Sequence, residues 1–282
     1  MNQPSLRIAL LDLYEGQANQ GMRCLREIFY DWGKARNWQI VLTEYDVRQK
    51  KELPGLDHDV YVSSGGPGSP LDSEGSDWEN AYFEWIGQLE QWNASPDRVA
   101  KHCFFICHSF QLACRYFEAG TVCKRNSTAF GVFPVHMLSK GLDEPIFKGL
   151  KDPFFSVDSR DYQVIAPQHE KIRARGGSIL AIEKYRPHVA FERAVMAIRF
   201  TPYFMGTQFH PEADAVGMRM YLERADKKQT VIDNHGEAKW KSMTEQLMDP
   251  EKILWTYSHV MPNFLALATE EWAMASQESL NL

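Results

Sequence analysis

His102 to Phe117 reads HCFFICHSFQLACRYF, and the change of periodicity inside that stretch sets the architecture. The first five residues have buried-strand character and the residues from His108 carry apolar side chains at helical spacing, so a strand passes into a helix with Cys107 at the join. The same alternation runs upstream. RIALLDL (7–13) predicts a strand, 19–36 an amphipathic helix, 39–45 and 59–63 two further strands, and 77–92 a helix rich in Trp and Tyr. Strands alternating with helices predict a parallel sheet covered on both faces.

Downstream the pattern changes. Between Gly131 and Phe209 short β-type runs follow one another: VFPVHML, FFSVDS, SILAIE, HVAFER, VMAIRF and GTQFH. They predict antiparallel edge strands added to the parallel sheet. After Glu212 helical spacing returns at 213–226 and again at 250–269; the polar KKQTVIDNHGEAK between them predicts a loop, and QESLNL at the end a frayed tail. The fold class is therefore α/β: an open, mostly parallel, flavodoxin-like sheet with helices on both faces, antiparallel edge strands and a helical C-terminal extension.

Composition narrows the function. The 282 residues are 44% hydrophobic and carry a formal net charge of −6, enough apolar material for a core and no electrostatic footprint for nucleic acid. No stretch reaches the roughly 20 apolar residues of a membrane-spanning helix, and the N-terminus lacks the pattern of a signal peptide, which predicts a cytoplasmic protein with a small-molecule substrate. Five cysteines without paired CxxC spacing predict neither a disulfide framework nor structural zinc, and the histidines show no ligand-like spacing, so no metal and no cofactor are expected.

Three segments stand at predicted strand ends: SSGGPGSP (63–70), the elbow at Cys107, and GTQFHPE (206–212). Ligands collect outside the carboxyl ends of parallel strands, so the three are expected on one rim. A thiol is a useful nucleophile near neutral pH when a base or positive charge favours the thiolate, and His210 with Glu212 supplies that partner. A strand–Cys–helix elbow turns the amide of His108 toward a developing oxyanion, and Gly66, without a Cβ, lets a second backbone donor approach. Each segment alone reads as ordinary core or turn; jointly they read as a site. Trp78, Trp85 and Trp92, seven residues apart, read as core packing or a partner contact.

These residues resemble the class I glutamine amidotransferase family, of the type of the GMP synthase glutaminase domain, whose pattern is a Gly-Gly-Pro-Gly loop, a G-x-C-x-G-x-Q elbow and a closing F-H-P-E. The resemblance covers about Leu6 to Asp226, and divides the chain into an amidotransferase-like domain (1–226) and a helical extension packed on it (227–282). It implies a Cys107–His210–Glu212 triad, an oxyanion hole at Gly66 and His108, and contact of Gln111 with bound glutamine. The implied reaction is hydrolysis of the γ-amide of glutamine through a glutamyl thioester, with ammonia passing to a separate synthetase chain. At the elbow the family's two glycines are Phe105 and Ser109 here, and Phe110 precedes the Gln.

A second resemblance is to homoserine O-succinyltransferases. VDSRDYQ (157–163) and HPEADA (210–215) are similar to segments of that family, which implies substrate binding by Arg160 and by Arg224. Three readings thus stand open: a glutaminase or a γ-glutamyl hydrolase using the same residues, acyl transfer from an acyl-CoA to an amino-acid hydroxyl, and a non-enzymatic ligand-binding relic.

Overall fold

The computed structural model describes residues 3–187, 189–247, 249 and 252–278. Nine strands are described: β1 (Ser5–Asp12), β2 (Gln39–Asp46), β3 (Val60–Ser63), β4 (His102–Ile106), β5 (Thr121–Met137), β6 (Phe154–Ile165), β7 (Ser178–Glu183), β8 (Val195–Arg199) and β9 (Phe204–Thr207). They form one sheet in the order β2-β1-β3-β4-β9-β8-β7-β5-β6. The pairs from β2 to β9 are parallel and those from β9 to β6 antiparallel. The expected α/β class, with a parallel centre and an antiparallel side, is the observed one.

The helices are α1 (Gly21–Arg36), α2 (Asp77–Asn93), α3 (His108–Tyr116), α4 (Ser139–Leu142), α5 (His169–Ala174), α6 (Ala215–Glu223), α7 (Ala225–His235), α8 (Glu237–Leu247) and α9 (Ile253–Glu278). Ser76 caps α2 by accepting from the Glu79 amide, and Asn37 ends α1 in the left-handed conformation at φ 57°. Two hydrophobic layers sandwich the parallel strands. One packs α1 and α9 through Leu25, Phe29, Val260, Phe264 and Leu265 against Leu10, Val62 and Phe104. The other packs α2 and α3 through Tyr82, Trp85, Leu112 and Ala113 against Ala9, Tyr61 and Phe105. Successive strand residues face opposite layers, which is why the parallel strands read as continuous apolar runs.

The α9 helix is part of the main core: Phe264 meets the rings of Phe104 and His102 edge-on. Within the tryptophan series, Trp85 is buried against Tyr61 and Tyr82. Trp92 instead donates through Nε1 to the Val99 carbonyl and lies under Arg98 and Lys101.

Three expectations are corrected. The 227–239 stretch is helical rather than a loop, because Val231 and Leu247 are buried and Trp240 donates to the Leu222 carbonyl, closing a third cluster against Val132 and Val157. Sparse apolar residues at helical spacing suffice when the rest of the surface faces water. The HVAFER run forms no strand: 189–193 is irregular, and Arg193 Nε bonds the Glu183 carbonyl where a ladder would have bonded backbone to backbone; His188 lies outside the described residues. The β5 strand starts eleven residues before the expected VFPVHML, at Thr121, with a register break between Lys124 and Ala129. Of the terminal QESLNL, 279–282 lie outside the described residues, as does Pro250 of the expected 250–269 helix.

Candidate active site

β1, β3, β4 and β9 run parallel and end on one rim, which carries Tyr14, the Gly-rich loop, Cys107 and His210. A cavity of about 880 Å³ opens there, and its lining includes Gly66, Cys107, His108, Gln111, Arg160, His210 and Glu212. Every candidate residue read from the sequence except Arg224 therefore lines one space.

Cys107 sits at φ 49° and ψ −95°, a left-handed conformation that a residue with a Cβ adopts at a cost of order 1–3 kcal/mol. That turn aims the side chain off the strand end and leaves the first amide of α3, that of His108, at the positive helix terminus. The departures from the family elbow are absorbed by neighbours. Ser109 Oγ accepts from the Ile106 amide at 2.8 Å and donates to the Ser63 carbonyl at 2.8 Å, tying the elbow to β3. Phe105 and Phe110 fit because Gly206 faces them across the sheet: a Cβ there would lie 2.7 Å from the Phe105 carbonyl oxygen and 3.0 Å from Phe110 Cδ2. The space beside Gly206 is taken by the Phe105 backbone and the edge of the Phe110 ring, and both aromatic rings pack on Phe200.

The Gly-rich loop is held from three sides. The Leu13 amide donates to Ser64 Oγ, which donates to the Gly65 carbonyl, and Arg48 Nη1 donates to the Pro67 carbonyl at 2.8 Å. Gly66 lies over the Leu13 carbonyl, where a Cβ would approach to 2.5 Å; at Gly65 a Cβ would lie 2.8 Å from His210 Cε1. The loop thus passes too close to β1 and to the imidazole for any side chain.

His210 is pinned by its own backbone, whose amide donates to the Val157 carbonyl of β6 at 2.9 Å. Its Nδ1 lies 2.8 Å from Glu212 Oε1. A carboxylate only accepts, so Nδ1 carries the proton and the other ring nitrogen is left for the thiol. Burial alone would lower the imidazole's pKa, but the Glu212 carboxylate and the charge and hydrogen bond of Cys107 raise it well above its usual value. The arrangement sets a charged imidazole beside the Cys107 sulfur. His108, by contrast, is pushed down to about 3 by burial, with Arg48 and Arg115 acting the same way, so its side chain is neutral.

Arg160 lines the cavity, yet most of its guanidinium is turned to the protein. Nε donates to both Asp158 oxygens, Nη1 to the Tyr162 carbonyl, and Nη2 to Glu183 Oε1 and Met196 Sδ. Burial opposes its charge while Asp158 and Glu183 restore it. With Arg125 also on Glu183, this is an internal ion-pair cluster, and of the five guanidinium N–H groups it leaves one, on Nη1, for a ligand. Arg224 precedes α7, is exposed, and does not line the cavity.

Two residues beside the nucleophile, Tyr14 in the cavity wall and Gln208 beneath it, escaped the sequence reading. Tyr14, directly after β1, places its hydroxyl beside Gly21 and Gly65; burial and then Glu212 and Cys107 raise its pKa well above the usual phenol range, so it stays a neutral donor. Gln208, fully buried, lies within the closing motif itself and contacts Cys107 Sγ. The position of Tyr14 at a strand end was a usable signal; Gln208 gave none, since a Gln at a strand end has no chemistry until its neighbours are known. Among the described residues no His, Cys, Asp or Glu cluster suited to a metal ion is present, and no helix is long and apolar enough to cross a membrane.

The family model for class I glutamine amidotransferases matches residues 25–225. Comparison with curated proteins finds no match. Among solved structures, a glutamine amidotransferase from Thermotoga maritima superposes at a TM-score of 0.66 with 16% identity, covering 93% of this chain and 98% of that one. A glutamine amidotransferase from Methylobacillus flagellatus gives 0.61 at 13% identity, covering 94% and 95%. The glutaminase domain of Trypanosoma brucei CTPS with bound acivicin gives 0.57 at 18%, covering 94% of each chain. At these identities the structural likeness is one of fold.

Proposed function

Because the chain belongs to the class I glutamine amidotransferase family, we propose that it hydrolyses the γ-amide of glutamine through a thioester on Cys107. The observation that carries this reading is the strained Cys107 elbow facing the His210–Glu212 pair within one cavity. The thiolate attacks the γ-carboxamide carbon, and the carbonyl electrons move to an oxygen held by the amides of Gly66 and His108. The His210 imidazolium protonates the nitrogen, ammonia leaves, and the thioester remains. Water, deprotonated by His210, then releases glutamate and restores the thiol.

Residues 1–226 carry this chemistry, and 227–282 form its helical extension. Ammonia passes to a synthetase on another chain. Glutamine is the expected substrate, and a cytoplasmic location fits it. The test is ammonia and glutamate release from glutamine by the wild-type chain and by Cys107→Ser, with and without candidate synthetases. No release from wild type under either condition overturns the reading.

One observation favours a second substrate on the same machinery. A cavity of about 880 Å³ lies near the top of the ~300–1,000 Å³ range that encloses drug-sized ligands, and glutamine is much smaller. Its outer wall is this chain's own, from Thr128 and Phe130 on β5 to Met218 on α6 and Val231 on α7. A γ-glutamyl amide with a bulkier amine would occupy that space. Hydrolysis of γ-glutamyl peptides at a higher kcat/KM than glutamine would select this reading. The acyl-transfer alternative gains less from Arg160, because four of its five N–H groups are engaged within the protein.

A further inference from the structure

Outside the proposed triad, Gln208 sets a side-chain donor against the nucleophile. Its Nε2 lies 3.7 Å from Cys107 Sγ, and its Oε1 accepts from Gln111 Nε2 at 3.0 Å. Both carboxamides are buried, Gln208 completely and Gln111 to 3% exposure. With Gln111 as it stands, turning Gln208 over would set its NH₂ against the NH₂ of Gln111 and lose that bond, so the Gln111 contact turns an N–H of Gln208 toward the sulfur. Its backbone is fixed as well, the amide donating to the Met196 carbonyl at 2.8 Å.

Resting on the nucleophilic role given to Cys107, we propose that Gln208 is a catalytic residue, a buried N–H donor oriented by Gln111 that holds the Cys107 sulfur as thiolate before attack. Cys107 Sγ has a second neighbour, the Ser159 carbonyl oxygen at 3.8 Å, to which only the protonated thiol can donate. The two contacts oppose each other: Ser159 favours S–H and Gln208 favours S⁻. The other charged or titratable groups lining the same cavity are His210, Glu212 and Asp214 beyond β9, Tyr14 beyond β1, Cys24 on α1, His108 on α3, and Arg160, Asp161 and Tyr162 on β6. Gln208 differs from them in being a donor that carries no charge and cannot titrate.

This role has a signature that packing alone does not. When sulfur bonds to the carbonyl carbon it gives up its negative charge, so the Gln208 bond is stronger to the free thiolate than to the tetrahedral adduct. Removing the donor therefore lowers the thiolate fraction, while the thiolate that does form is no poorer a nucleophile. The pH midpoint of Cys107 reactivity moves upward and the alkaline plateau stays.

The experiment is alkylation of Cys107 by iodoacetamide in the full chain across about pH 5–10, read by mass spectrometry on the Cys107 peptide. Wild type is compared with Gln208→Met, which keeps the shape, and Gln208→Glu, which keeps the acceptor for Gln111 and removes the donor. The expected result for Gln208→Met is a reaction about tenfold or more slower at neutral pH, the scale of one hydrogen bond to a charged group, with the plateau retained. Gln208→Glu is expected to be slower still. An unshifted midpoint in a variant that melts like wild type, or a lowered plateau with the midpoint in place, overturns the proposal. If Gln208→Met fails to fold, Gln208→Glu is read alone by the same criteria. The assay needs no glutamine turnover, so failure to release ammonia would refute the glutaminase reading and leave this result standing.

Discussion

Replacing Glu212 by Gln removes one charge and one acceptor from a buried site and changes little else in shape. The carboxylate stands 2.8 Å from His210 Nδ1 and is buried, so solvent screens it little. Losing a hydrogen bond to a charged group forfeits about 1.5–3 kcal/mol, or roughly 10- to 150-fold in rate. A carboxamide can also donate to Nδ1 and so fix the wrong tautomer, which brings the expected fall in kcat to about 10²–10⁴, with KM little changed. The pH consequence has a definite sign. Glu212 helps raise the His210 pKa, so in the variant the imidazolium is lost at lower pH, and the alkaline limb of the profile moves toward acid. A raised folded pKa contributes stability that is complete below the unfolded value of about 6.5 and is lost as pH rises through the folded value. The stability difference between wild type and Glu212→Gln should thus be largest below about pH 6.5 and close at alkaline pH. Steady-state kinetics and denaturant unfolding over pH measure both. A kcat within about threefold of wild type, or an unmoved alkaline limb, would refute the assigned role.

Gly65→Ala sets a Cβ 2.8 Å from His210 Cε1, so kcat should fall by about 10² or more while the melting temperature changes little, as kinetics and calorimetry would show. Gly206→Ala drives a Cβ into the Phe105 backbone, and urea denaturation should show a loss of about 1–3 kcal/mol or more. Arg160→Met leaves the buried Asp158 without its cation, while Glu183 keeps Arg125 and Arg186, costing about 3–5 kcal/mol in unfolding experiments. If Arg160 instead bound substrate, the milder Arg160→Lys would raise KM with stability unchanged.

Most of the parallel half of the fold was legible in the sequence because local pattern decided it. His102–Ile106 is apolar on both faces and Ser76 precedes a helix with Glu at the third position, so strand and cap were written in adjacent residues. The candidate site was legible for a related reason: in a parallel sheet, strand ends share a rim, so segments about a hundred residues apart could be brought together by topology alone. Other features depended on partners that no window contains. The helical state of 227–239 needs Leu222 and Val132 to bury Val231 and Trp240. The engagement of Arg160 needs Glu183, and the role offered for Gln208 needs both Gln111 and Cys107. HVAFER failed for the opposite reason, having a strand's composition but no neighbouring strand bonded to it.

The Phe105 carbonyl oxygen, rather than its ring, is what a side chain at 206 would strike first. Every residue at 105 carries that oxygen, so the constraint at 206 belongs to the close approach of two backbones and outlives any exchange of side chain at 105. Shrinking Phe105 would open a void beside Phe200 without making room at 206. Glycine at 206 is thus a condition on the chain path itself, and a variant with a small residue at 105 should tolerate Ala at 206 no better than the wild type does.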